Sequence, residues 1–254
     1  MTTVRDITVV IACKNRDENL SLCLSSIVQA EPRPNGVYVV DFGSSVSLKA
    51  KYKRYFPYVV VIPVHNRTGT FHKARAVNIG LTKVKTKYVC FTDTDQVFGP
   101  NTFGVISSMC SLYPNPFMYS STYFIKSAIP EGVTPENVSV KYPELLELAK
   151  LESTPYGDGC LHVVKTKYAK AIGGYEEQFL GWGPEDSDFR RMAKANKLKF
   201  VDITKRVTMI HLPHAKSGQY YSKELYEKNL LLYKNRRKAH AARANSGIAW
   251  GSVP

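Results

Sequence analysis

The chain has 254 residues, of which 44% are hydrophobic and 11% aromatic, so it can bury a substantial core and is not a disordered protein. Its formal net charge of +14 suits polyanionic partners, namely nucleic acid, anionic glycan or a phospholipid surface, with a solvated basic face without a specific partner an equal alternative. Five cysteines without a CxxC pair point to reduced, mostly buried thiols in a cytoplasmic protein. No apolar run approaches the roughly 20 residues that span a bilayer, and the first strand begins too early for a signal peptide.

Ile7–Cys13 is a continuous, largely β-branched run, the pattern of a strand buried on both faces. A helix follows with Leu20, Leu24 and Ile27 on one side. Further strands are predicted at Val37–Val40, Val59–Val64 and Tyr88–Phe91, with a helix over 72–83. Met118–Ile125 reads as a strand, 126–143 as a loop, Glu144–Leu151 as a short helix and Cys160–Val164 as a strand. A helix opens after Pro184, a strand follows near Lys199–Ile203, and 222–243 forms a basic helical tail. Strands alternating with helices predict a single-domain, three-layer α/β fold with a mainly parallel sheet. The polar clusters 14–16, 41–45 and 93–95 then fall at the carboxyl ends of strands, where such sheets bind ligands.

The richest segment is Gly181-Trp182-Gly183-Pro184-Glu185-Asp186-Ser187-Asp188. Proline suits a first helical position, and acids in that turn are favoured by the helix dipole. An aromatic plate beside carboxylates can bind a hydroxylated ligand and take a proton from it; an ordinary capped helix is the plain alternative. Asp93-Thr94-Asp95 ends a strand, and two carboxylates two residues apart on extended chain point the same way, able to hold a divalent cation. His211 and His214 follow a strand and complete a mixed oxygen–nitrogen set that suits Mn2+ better than Mg2+, with His211 the stronger candidate. Asp41 ends a strand, where a nucleoside contact and a turn-forming role are equally open; Arg75 and Asn78 share one helix face.

In this order the pieces resemble the GT-A glycosyltransferases. Val9–Arg16, Val39–Ser45, Ala74–Gly80 and Phe91–Asp95 look like the family 2 pattern; Gly173–Glu177 leading into Gly181–Asp186 looks like a galactosyltransferase-type module. The resemblance spans about residues 5–215. It implies a GT-A domain over 1–215, with a nucleotide-sugar half to about 100 and an acceptor half beyond, followed by a basic helical tail over 216–254. It also implies a UDP-sugar donor, a divalent metal (Mn2+ or Mg2+) and inversion at the anomeric carbon. Carried over by position, Asp95, Asp93, His211 and His214 hold the metal, and Asp41, Arg75, Asn78, Asp93, Trp182 and Arg16 contact the nucleotide-sugar. Asp186 is the base, with Glu185 on a sugar hydroxyl. Phe42 replaces the second acid that many relatives carry in the turn after strand two.

For the acceptor, the charge distribution is the guide. From Arg190 onward there are 15 Lys and Arg against three acids, with Tyr220, Tyr221, Tyr226 and Tyr233 interleaved. That mixture suits duplex DNA carrying a hydroxymethylated base; a saccharide or lipid-linked glycan is the rival, and a non-catalytic nucleic-acid-binding module the third reading.

Overall fold

The computed structural model describes residues 2–66, 69–151, 160–214 and 222–253. The first half runs β1 (Ile7–Cys13), α1 (Asp17–Val28), β2 (Gly36–Asp41), a single turn α2 (Leu48–Lys51), β3 (Val59–Pro63), α3 (Lys73–Lys83) and β4 (Tyr88–Thr92). There follow β5 (Gln96–Phe98), α4 (Thr102–Leu112), β6 (Pro116–Tyr119), β7 (Tyr123–Phe124), α5 (Tyr142–Leu148) and β8 (Lys150–Leu151). The rest is β9 (Leu161–Lys165), α6 (Thr166–Ala171), α7 (Glu185–Ala195), β10 (Lys199–Asp202), β11 (Met209–His211) and α8 (Lys223–Lys238).

The central sheet has the order β10-β6-β9-β4-β1-β2-β3. Every neighbouring pair is parallel except those made by β9, which lies antiparallel between β4 and β6. Strand β1 shows why its sequence is apolar throughout. Ile7, Val9 and Ile11 pack with Leu20, Leu24 and Ile27 of α1 and with Phe103 and Ile106 of α4. Val10 packs on the other face with Ala74, Val77 and Leu81 of α3 and with Phe189 and Met192 of α7. Helices on both faces leave no side of the strand for water.

Two elements depart from the sequence reading. The run 118–125 is not one strand: β6 ends at Tyr119 in the central sheet, and β7 belongs to a second sheet of order β5-β11-β7-β8. Polar side chains turn the chain out: the Thr122 hydroxyl donates to the Met209 carbonyl (2.9 Å), and the Ser121 amide donates to Thr204 Oγ1 (2.9 Å). The predicted helix 144–151 starts two residues earlier, with Pro143 in its first turn, and gives way to β8. The small sheet matters because it carries β11, and with it His211, to the carboxyl edge of β4.

The basic tail is not a separate arm. Among its four tyrosines, Tyr220 and Tyr221 lie outside the described residues. Helix α8 docks on the fold through Arg236, whose guanidinium donates to Glu176 Oε2 (2.6 Å) and Asp188 Oδ2 (3.0 Å), both carboxylates being buried. Arg191 also holds Asp188, at 2.7 Å. Asp188, third acid of the 185–188 cluster, is thus spent on packing. The segment after α8 closes on the same region: Asn245 donates to the carbonyls of Gly173 and Tyr175, both at 2.8 Å.

Candidate active site

The metal candidates converge. Strand β11 pairs antiparallel with β5, placing His211 opposite Gln96, and parallel with β7, placing it beside Phe124, on whose ring it stacks at 4.6 Å. The Leu212 amide donates to the Asp95 carbonyl (2.8 Å), which fixes the two chains. Nε2 of His211 and Nε2 of His214 lie 3.5 and 3.2 Å from the two carboxylate oxygens of Asp95. Three ligand atoms from Asp95, His211 and His214 fall within 4.8 Å of one another, so one carboxylate oxygen and two imidazole nitrogens converge closely enough to hold a small cation. Burial pushes Asp95 up, but the His214 hydrogen bond and the His211 charge outweigh it and leave its carboxyl below the ordinary range.

Asp93 is not part of that cluster. The segment after Thr92 is a turn rather than extended chain, so the two carboxylates take different partners. Asp93 Oδ1 meets the ammonium of Lys73 at 2.8 Å. The same ammonium lies 2.9 Å from Asp186 Oδ2 and 3.9 Å from Glu185 Oε1. Lys73 opens α3, where the helix dipole disfavours a cation. Burial also opposes its charge; Asp186, Asp93 and Glu185 together overcome this and raise its pKa well above the usual range. Sequence reasoning passed over Lys73. Its only signal was a lysine at a helix start that otherwise lacks acids.

The Gly181–Asp188 segment forms the opposite wall. Its backbone is clamped by Asn229 of α8, whose Nδ2 donates to the carbonyls of Leu180 (2.7 Å) and Trp182 (3.0 Å). A Cβ on Gly183 would come 2.7 Å from that Nδ2, so the clamp requires glycine there. Trp182, 48% exposed, stacks on Tyr226 of α8 at 5.1 Å. The neighbouring acids differ. Glu185 is buried, and burial with the nearby Asp186 charge lifts its carboxyl to about 8 despite Lys73. Among the described residues its Oε2 has no hydrogen-bond partner, and neither does Asp186 Oδ1.

Other sequence candidates divide. Arg16 lines the cleft with Lys14. Asp41 does not border it; its carboxylate accepts from the Ser44 amide (2.9 Å) and closes the 41–45 turn. Arg75 points away, donating to the Ser252 carbonyl at 3.2 and 3.3 Å. Asn78 is fully buried, bonded to Tyr175 N and O and to Glu177 Oε1 at 2.8–2.9 Å. It clamps the Gly173-Gly174 turn, and a Cβ on Gly174 would lie 2.2 Å from its Oδ1. Arg75 and Asn78 thus lie outside the cleft lining, to which the helix contributes Lys73.

These groups enclose a cleft of about 390 Å³ that runs from His211, His214 and Asp95, past Asp93 and Lys73, to Glu185, Asp186 and Trp182. A mainly parallel α/β sheet with this cleft at its carboxyl edge is the layout of a GT-A glycosyltransferase. The family model "Glycosyl transferase family 2" matches residues 8–173, and the chain belongs to that family. A second model, "N-terminal domain of galactosyltransferase", matches residues 149–215. No curated protein sequence matches the chain.

Among solved structures, S. aureus TarS aligns with a TM-score of 0.67 at 15% identity, covering 96% of this chain and 40% of TarS. TarS 1-349 in complex with UDP-GlcNAc aligns with a TM-score of 0.65 at 14% identity, covering 96% of this chain and 68% of that one. GalNAc-T7 with UDP, GalNAc and Mn2+ aligns with a TM-score of 0.66 at 15% identity, over 90% of this chain and 47% of GalNAc-T7. The chain thus spans well under two thirds of the longer TarS and of GalNAc-T7. Among the described residues no helix is long and apolar enough to cross a membrane.

Proposed function

We propose that the enzyme transfers a sugar from a UDP-sugar, with inversion, to a hydroxyl of a polyanionic acceptor, hydroxymethylated duplex DNA being the first candidate. The observation that carries this reading is the single cleft in which the Asp95–His211–His214 cluster and the Asp186 carboxylate face one another across Lys73. The UDP and UDP-GlcNAc complexes of TarS and the UDP, GalNAc and Mn2+ complex of GalNAc-T7 support the donor class.

In this reading Asp95, His211 and His214 hold Mn2+, which supplies positive charge for the leaving diphosphate. Asp186 takes the proton of the acceptor hydroxyl while that oxygen attacks the anomeric carbon from the face opposite the leaving group. A single acceptor-side base, with Asp93 engaged by Lys73 and Asp95 set against the two histidines, fits inversion. Glu185, neutral at pH 7, donates from its unpartnered Oε2 to a sugar hydroxyl. Trp182 offers its exposed ring to a sugar or base. Lys73 keeps the donor-side and acceptor-side acids from repelling one another.

The polyanion reading rests on the net charge and on the exposed Lys234, Arg237 and Lys238 at the end of α8 and Arg243 beyond it. Its basis is narrower than the sequence suggested: Arg236 is consumed by Glu176 and Asp188, and Lys228 by Glu224 at 2.6 Å. The test is a screen of radiolabelled UDP-sugars with Mn2+ against hydroxymethylated duplex DNA and simple glycans. Label entering DNA supports the reading; label entering glycans alone replaces DNA by a saccharide acceptor, and no transfer from any UDP-sugar overturns the donor class.

A further inference from the structure

Behind Asp186 lies a polar pair that the transfer chemistry leaves unused. His162, on β9, is fully buried, and its Nδ1 shares a 2.9 Å hydrogen bond with the hydroxyl of Tyr175, also buried. Aromatic rings surround the pair. Phe117 and Phe189 lie 5.1 and 5.9 Å from the imidazole, and Tyr175 stacks on Phe189 at 4.3 Å. Two apolar side chains of similar size would fill this space without stripping water from an imidazole and a phenol.

The pair faces the inner oxygen of the catalytic carboxylate. Asp186 Oδ1 is buried, has no hydrogen-bond partner among the described residues, and lies 3.9 Å from His162 Nδ1. The other oxygen, Oδ2, carries Lys73 at 2.9 Å and borders the cleft. An acceptor hydroxyl must therefore approach from the Oδ2 edge, and the direction of that edge depends on what holds Oδ1.

We infer that His162, braced by Tyr175, is a positioning residue for Asp186: it holds Oδ1 from the core side so that Oδ2 faces the acceptor. The inference rests on the reading of Asp186 as the base. At 3.9 Å the contact is electrostatic rather than a direct hydrogen bond, because Nδ1 is engaged by the Tyr175 hydroxyl, which fixes the imidazole facing Oδ1. In the step it serves, the acceptor O–H proton passes to Oδ2 as the acceptor oxygen bonds the anomeric carbon. The bond from that carbon to the diphosphate oxygen breaks, and its electron pair leaves with the diphosphate. His162 exchanges no proton with the substrate. It orients the carboxylate, as the third group does in a nucleophile–base–orienter arrangement.

The test combines turnover with a measurement that needs none. His162→Phe is expected to fold, keep the donor KM within about twofold and lose kcat about 10- to 100-fold, the range usual for groups that orient a functional ligand. Tyr175→Phe is expected to shift kcat in the same direction by less, and His162→Asn, which keeps a polar atom near the Nδ1 position, to recover part of the loss. Folded His162→Phe and Tyr175→Phe variants with wild-type kcat would overturn the assignment. Separately, the 15N signals of the His162 ring, which report where its proton resides, are expected to move in Asp186→Asn. Unchanged signals overturn the inference whether or not a UDP-sugar is turned over. A wild-type enzyme inactive with every UDP-sugar would instead count against the proposed function.

Discussion

Lys73 Nζ lies 2.9 Å from Asp186 Oδ2, and the same ammonium lies 2.8 Å from Asp93. One cation therefore joins the two halves of the cleft. Lys73→Met leaves Asp93, Glu185 and Asp186 crowded without a counter-charge. The expected result is a fall in kcat of about 100-fold, the usual cost of deleting one preorganised charge partner, with a lower melting temperature. Lys73→Arg is expected to recover stability more than turnover, since a planar fork replaces a point charge that meets three acids. Near-wild-type kcat in Lys73→Met would remove Lys73 from the machinery.

The two acids of the Asp93–Asp95 turn are predicted to separate experimentally. Asp95→Asn is expected to weaken Mn2+ binding strongly in calorimetry, because its carboxylate sits against both histidines. Asp93→Asn is expected to leave Mn2+ affinity within a few-fold, because Asp93 is engaged by Lys73. Chelation is expected to abolish transfer and added Mn2+ to restore it. Equal loss of Mn2+ affinity in both variants would return the paired-carboxylate reading of the sequence.

In the fold the two carboxylates of the turn part, Asp93 to Lys73 and Asp95 to the two histidines. Strand β1 was legible because burial on both faces leaves an unbroken apolar run, and the Gly181–Asp188 junction because Pro and acids mark a helix start. The pairing of His211 with Asp95 was legible only in part, since it depends on β11 joining a second sheet that no local pattern announces. Arg75 and Asn78 carried a recognisable spacing, yet in the fold Arg75 bonds the Ser252 carbonyl and Asn78 the Tyr175 backbone. Lys73 left only the faint signal of a lysine at a helix start and His162 none, because their meaning comes from partners 113 and 24 residues away that only the tertiary fold supplies. The charge of the tail was legible, whereas the diversion of Arg236 into a buried network was not.

Glu185 makes stability depend on pH. The folded chain holds its proton to about pH 8, whereas a free glutamate gives it up near 4.5. Between those values the folded form binds more protons than the unfolded one, so this residue's contribution falls as pH rises, by at most roughly 1.4 kcal/mol per pH unit. Glu185→Gln removes the titration. In urea unfolding with chelator present, the variant and wild type are expected to be similar near pH 5, with the variant the more stable at pH 9. A wild-type curve parallel to the variant across that range would show that Glu185 is not held neutral.

Arg236 and its neighbours on α8 should behave oppositely despite their like charge. Arg236 faces two buried carboxylates, so Arg236→Met removes the guanidinium from Glu176 and leaves Asp188 to Arg191 alone. The expected loss is about 3–5 kcal/mol of unfolding free energy, the range for breaking a buried ion pair from one side. Arg236→Lys is expected to rescue little, because one ammonium cannot serve two carboxylates from the nitrogens of a planar fork. Reversing Lys234, Arg237 and Lys238 to Glu touches exposed positions and is expected to leave unfolding nearly unchanged, while lowering affinity for duplex DNA and flattening its dependence on salt. If the triple reversal binds DNA like wild type across a salt titration, α8 is not the polyanion surface, and its charge serves solubility alone.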